Sequence, residues 1–211
     1  MPASITHIYY AYKVKDILQV RNLNKFLIGN LFPDIRAIVP KLYRLTHPRD
    51  VEFKNIINIS NNNDFIKGWL FHSWLDYMHL SVILENKRLF PHGFCRSCAS
   101  AYKFRQDLAL ITAGLIDASL LNLTIESLQK VYTEELVFLN NKFTIIKWHH
   151  ILINYFKNMR EIKDFKYTVL QFLIDTGVQQ KVIKQFFTYY KRFSRFPETS
   201  FLTRPIDKLL K

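Results

Sequence analysis

Phe71-His72-Ser73-Trp74-Leu75-Asp76-Tyr77-Met78-His79 lies inside a longer apolar stretch, Asp64 to Glu85, and its reading decides the fold. Leu70, Phe71, Trp74, Leu75 and Met78 recur at helical spacing, with no proline or glycine after Gly68. That pattern predicts one long helix. At about 100° per residue, Asp76 sits roughly 40° round from His72, and His79 roughly 20° to the other side. Two imidazoles and a carboxylate therefore share one narrow stripe. Gly68, one turn before His72, leaves a gap where a second backbone can come close. The stripe has two readings. It is a solvated or self-satisfied polar face, of the kind common on helices, or a metal edge, since zinc takes His nitrogen and Asp oxygen.

The 211 residues around this helix suffice for one sizeable core, so a single domain is expected. Hydrophobic residues at 49% and charged residues at 22% give an ordinary globular balance. Glycine and proline are few and no strand-like alternation stands out, which favours an all-α fold. The formal charge of +13 points either to an anionic partner or to a basic solvated surface. Met1 to Val20 contains Lys13, Lys15 and Asp16 and builds no apolar core of a signal peptide. No stretch reaches the roughly 18 uninterrupted apolar residues of a spanning helix. A soluble protein of the cytoplasm is expected, and the two cysteines make no disulfide framework.

Upstream of the central helix, three more segments carry metal-competent side chains. A first helix is expected from Ser4 to Val20, capped by Ser4 or Thr6. His7 in its first turn is either a capped or surface residue or a ligand. Asn22 to Gly29 reads as a short apolar helix that Pro33 ends by keeping Phe32 extended. Asp34 then stands on a rigid corner, as a turn cap or as a ligand. His47 follows on the loop Leu45-Thr46-His47-Pro48, before a helix from Val51 to Ile59 with Asp50 as its cap. With the central stripe, this makes His7, Asp34, His47, His72, Asp76 and His79.

This ordered set resembles the bacterial zinc-dependent phospholipase C family, as a small divergent member. The matching pieces are Thr6-His7-Ile8-Tyr9-Tyr10-Ala11, Phe26-Leu27-Ile28-Gly29-Asn30-Leu31-Phe32-Pro33-Asp34-Ile35, Thr46-His47, and Gly68-Trp69-Leu70-Phe71-His72-Ser73-Trp74-Leu75-Asp76 with His79 following. They cover about the first ninety residues. The resemblance implies an all-α, single-domain multi-helix bundle of the zinc-dependent phospholipase C and single-strand nuclease type. Residues 1–90 would form the metal-site half, 100–196 the supporting helices and 197–211 a tail. It further implies that Asp34, His47, His72 and Asp76 form the best-defined zinc site, with His7 on a second ion bridged by Asp76. His79 matches a histidine whose register varies within the family.

Two departures separate this chain from the secreted enzymes. Their mature chain begins with a tryptophan that ligates zinc, whereas this one begins Met1-Pro2-Ala3. Their downstream His-x3-Glu pair is missing too, because Arg96, Ile153 and Asn154 stand four residues after His92, His149 and His150. One or two zinc ions, or another divalent metal, are therefore expected rather than three. Such a site would support phosphoester hydrolysis, a metal-activated water attacking a phosphodiester or phospholipid headgroup. Asp34 and Asp76 are the candidate catalytic carboxylates. The competing class is a non-catalytic helical binding module that keeps a residual structural metal site, and a third reading is a nuclease.

Downstream, His92-x2-Cys95-x2-Cys98 is read as a loop with reduced thiols, its three potential ligands one short of a complete zinc site. Helices are expected over Ala101–Leu121, Ile125–Leu139 with Thr124 as cap, Phe143–Met159 and Asp164–Asp175, the last ended by Gly177. His149 and His150 either face the site or have packing and surface roles. Val178 to Phe196 interleaves Lys181, Lys184, Lys191, Arg192 and Arg195 with aromatic residues. It is either a surface for anionic membrane or nucleic acid, or an amphipathic core helix with a solvated lysine face.

Overall fold

The computed structural model describes residues 4–59, 63–85, 96–161 and 164–196. Within them the chain is all α, with no strand. The helices are α1 (Ser4–Val14), α2 (Leu23–Leu31), α3 (Tyr43–Thr46), α4 (Phe53–Ile57), α5 (Asp64–Glu85), α6 (Arg96–Thr112), α7 (Ala118–Ser127), α8 (Thr133–Phe138), α9 (Lys142–Glu161), α10 (Phe165–Asp175) and α11 (Gln180–Phe193). One cluster of buried apolar side chains runs through both halves, from Ile5 to Phe193. Among the described residues no helix is long and apolar enough to cross a membrane.

The tightest pairing is α2 on α5, and two glycines set it. A Cβ on Gly68 would lie 2.0 Å from the Phe26 carbonyl oxygen, and one on Gly29 would lie 2.0 Å from that of Phe65. Each helix thus presents a bare stretch of backbone to the other's carbonyls, closer than any side chain allows. The entry to both helices is shared as well. Asn22 caps α2 through Lys25 N at 3.0 Å, while Asp64, opening α5, accepts from Asn22 N at 2.7 Å and Arg21 N at 3.2 Å.

Several boundaries differ from expectation. The first helix ends at Val14 rather than Val20, and the chain reverses through Gln19 at φ 50°. Pro33 does not extend Phe32, which is helical (φ −59°, ψ −41°). Instead α2 runs on into a 3-10 turn, Phe32–Ala37, whose first turn suits the fixed φ of proline. Asp50 sits in the left-handed region at φ 59° and α4 starts after Glu52, so Asp50 is no cap. Thr124 lies inside α7, its hydroxyl turned back to the Leu120 carbonyl at 2.8 Å, and the expected helix over 125–139 is split at Ser127.

In the second half, α6 is the buried spine. Its Asp107 reaches across to the start of α1, accepting from Ile5 N (3.1 Å), Thr6 N (2.8 Å) and Thr6 Oγ1 (2.7 Å), and from Tyr155 Oη (2.8 Å). The first helix is therefore capped from a hundred residues away, not by its own Ser4 or Thr6. Burial pushes the Asp107 carboxyl up to about 6 despite these four donors. Against α6 packs α11, which buries Ile183, Phe186 and Phe193 while Lys181, Lys184, Lys191 and Arg195 stay exposed. Its aromatic side serves the core.

Candidate metal centre

The central stripe faces inward. His72 and His79 are buried, and Asp76, at 17% side-chain exposure, is where the stripe meets solvent. Three other segments bring their donors to it: His7 from α1, Asp34 from the 3-10 turn, and His47 just past α3. Asn30 ties two of these together. Its Nδ2 donates to the His7 carbonyl at 2.8 Å, and its own carbonyl accepts from His72 Nδ1 at 2.7 Å.

A carbonyl can only accept, so the His72 proton sits on Nδ1 and Nε2 carries a bare lone pair. His47 is positioned by Thr46. The Thr46 hydroxyl lies 3.0 Å from the Leu42 carbonyl and 2.9 Å from His47 Nδ1, and its one proton can serve either acceptor. The Trp69 indole holds the Thr46 carbonyl at 2.7 Å, anchoring this loop to α5. The two Nε2 atoms stand 3.3 Å apart, and that of His72 brings a lone pair to the contact. With the His47 proton on Nδ1 two lone pairs meet there, an arrangement that a cation between them would stabilise.

The carboxylates complete the pattern. His72 Nε2 is 3.8 Å from Asp34 Oδ2 and 3.9 Å from Asp76 Oδ2, and His47 Nε2 is 3.8 Å from Asp76 Oδ2. Four ligands around zinc at its usual 2.0–2.1 Å stand about 3.3 Å apart in a tetrahedron, close to these separations of 3.3–3.9 Å. On the other side of Asp76, His7 Nε2 lies 3.5 Å from Oδ1, and the His7 ring stacks on His72 at 4.0 Å. Donor groups able to hold an ion are thus Asp34–His47–His72 and His7–His72–Asp76. Since His72 has one nitrogen to give, it serves one ion, and Asp76 is placed to reach a second together with His7.

Protonation states suit ligation, which needs neutral imidazole and ionised carboxylate. Burial lowers His47 to about 4, helped by the Arg36 charge, and lowers His72 well below the usual histidine range, helped by His7. Burial alone would raise Asp34, but His72 and Arg36 outweigh it and hold the carboxyl at about 2. Asp76 is likewise carried well below the usual range, burial being overcome by Lys103 and His7.

Both oxygens of Asp34 and both ring nitrogens of His7 are buried without a hydrogen-bond partner. Orphaned groups of this kind cost roughly 1–3 kcal/mol each, and a divalent ion would satisfy them. His79 is different: it joins neither donor group, standing edge-on to His7 at 6.3 Å and to Tyr10 at 6.2 Å, its nitrogens also buried and unpartnered. Seven residues place it about 10 Å further along the helix axis than His72, too far for a shared ion.

Other sequence candidates lie elsewhere. His149 pairs with Glu135 at 2.8 Å inside the second half, and His150 is exposed. His92 and Cys95 are outside the described residues, as is the expected tail over 197–211. Cys98 is disulfide-bonded, against the expected reduced thiol. Two site residues escaped sequence reading. Lys103 of α6 forms a short ion pair with Asp76 Oδ1, and Arg36 sits 3.4 Å from Asp76 Oδ2 and 3.5 Å from Asp34 Oδ1. Both line a cavity of about 780 Å³ that opens beside Asp76.

No protein-family model, curated protein or solved structure matches the chain.

Proposed function

We infer that the protein is a metal-dependent phosphoester hydrolase of the zinc-dependent phospholipase C kind. The observation that carries this reading is the convergence of His47 Nε2 and His72 Nε2, 3.3 Å apart, beside the ionised carboxylates of Asp34 and Asp76. Asp34, His47, His72 and Asp76 would hold one zinc, with His7 and Asp76 offering a place for a second. A divalent ion supplies Lewis acidity and an activated water at neutral pH. The chain's own residues do the rest. Asn30 fixes the His72 tautomer, Thr46 positions His47, Asp34 stays ionised as a ligand, and the partly exposed Asp76 faces the cavity where substrate would enter.

The electrostatics favour an anionic substrate. Arg36 and Lys103 balance the two carboxylates, so each bound ion leaves the site with surplus positive charge. A phosphodiester, phosphomonoester or phospholipid headgroup meets that demand.

Elemental analysis of protein purified without chelator tests the reading, together with release of nitrophenolate from a chromogenic phosphodiester. One or two zinc ions per chain, lost in His72→Ala and Asp76→Ala along with hydrolysis, are expected. A chain that takes up no divalent ion refutes it. Bound metal without hydrolysis of any phosphoester supports the non-catalytic binding module instead.

A further inference from the structure

Arg36 and Lys103 do more than neutralise Asp34 and Asp76. We propose that they are the anion-binding residues of the adjoining cavity, engaged by the two carboxylates until a divalent ion takes these over, and then turned to the phosphoryl group of a substrate with an apolar ester group. This rests on the hydrolase reading of the metal centre. Every metal-ligand oxygen of Asp76 has a cationic competitor: Lys103 on Oδ1, and Arg36 on Oδ2 at 3.4 Å. Asp34 Oδ1 has Arg36 at 3.5 Å. An ammonium and a guanidinium cannot ligate a metal, and they repel one. A cation entering the cage therefore weakens both ion pairs at once.

The displaced groups have one direction to go, because both line the cavity of about 780 Å³. Arg36 is also steadied there, its guanidinium 4.8 Å over the Tyr43 ring, which lines the same space. A guanidinium fork and a lysine beside it suit a phosphoryl group with two or more anionic oxygens. The same cavity is lined by apolar side chains as well, Leu80, Leu173, Val178, Val182 and Phe186. An inorganic anion would leave these side chains wet, whereas an alkyl or aryl substituent covers them.

The probe is phenylphosphonate, titrated calorimetrically into zinc-loaded protein, with zinc affinity read separately against a chromophoric chelator. In Lys103→Met, phosphonate binding should weaken about ten- to a hundredfold, the worth of a hydrogen bond to a charged group, while zinc is held at least as tightly as in the wild type. Lys103→Arg should retain phosphonate binding within about threefold. Arg36→Met, expected to behave like Lys103→Met, serves if that variant melts too low to be assayed. Inorganic phosphate binding as tightly as phenylphosphonate overturns the apolar part of the ligand. Unchanged phosphonate affinity in folded, zinc-loaded Lys103→Met overturns the proposal alone. Failure of the wild type to take zinc removes the hydrolase reading and this inference with it.

Discussion

Among the described residues, the buried polar groups around Asp107 and those around Asp76 are finished to different degrees. Around Asp107, both carboxylate oxygens are engaged, by Ile5 N, Thr6 N, Thr6 Oγ1 and Tyr155 Oη. The same holds for Glu135, whose oxygens take His149 Nε2 at 2.8 Å and Tyr132 N at 2.9 Å. Around Asp76 the opposite is found: His7, Asp34 and His79 have buried nitrogens and oxygens with no hydrogen-bond partner. A protein interior leaves few such groups unsatisfied. The first cluster is a joint complete in itself, holding α1 against α6 and α9. The second is complete only with something added.

The largest expected effect separates the two by loss of that added component. His72→Ala or Asp76→Ala should abolish stoichiometric zinc in elemental analysis and lower phosphodiester hydrolysis beyond the roughly 10–100-fold that outer-shell partners of a metal cost. Asp107→Ala should do the reverse. It should destabilise the fold by about 2–4 kcal/mol in urea unfolding, from a lost helix cap and an orphaned tyrosine hydroxyl, while zinc content per folded chain stays unchanged. Gly68→Ala touches both outcomes. Its methyl meets main chain on α2, so about 1–3 kcal/mol of stability should go, and zinc affinity should fall with it.

The smallest effect lies in pH dependence of the metal-free protein. His47, lowered to about 4, contributes stability that is fully present above 6.5 and lost as pH falls toward 4. Asp107, raised to about 6, works against this, because the folded state binds its proton more tightly between pH 6 and 4 and gains stability there on acidification. Urea midpoints measured with chelator present should therefore fall more steeply from pH 6 to pH 4 in Asp107→Asn than in the wild type. Parallel curves would show that the two clusters do not oppose each other in acid.

The sequence makes α5 legible from end to end, because its apolar recurrence is unbroken and Gly68 marks the crossing with α2. It makes the donors legible too, since histidine and aspartate are rare enough here to stand out beside glycine, proline and helix ends. Arg36 and Lys103 give no such signal: among 30 basic residues nothing in local spacing marks two as special. Asp107 is hidden for a related reason, since its partners lie about a hundred positions away. His79 shares an angular position with His72, yet angle on a helix says nothing about distance along it. Helix ends were the least readable, as at Val14 and Phe32, where tertiary contacts and a 3-10 continuation overrode local preference.

The crossing at Gly29 and Gly68 has a consequence for how the centre can vary. Where main chain rests on main chain, spacing is set by atoms that every sequence shares, and no neighbouring rotamer can take up slack. The imidazole of His72 hangs from one side of that contact and the carbonyl of Asn30 from the other. Drift in the surrounding core can proceed freely while their separation stays constant. A single methyl added at the contact would change it in one step.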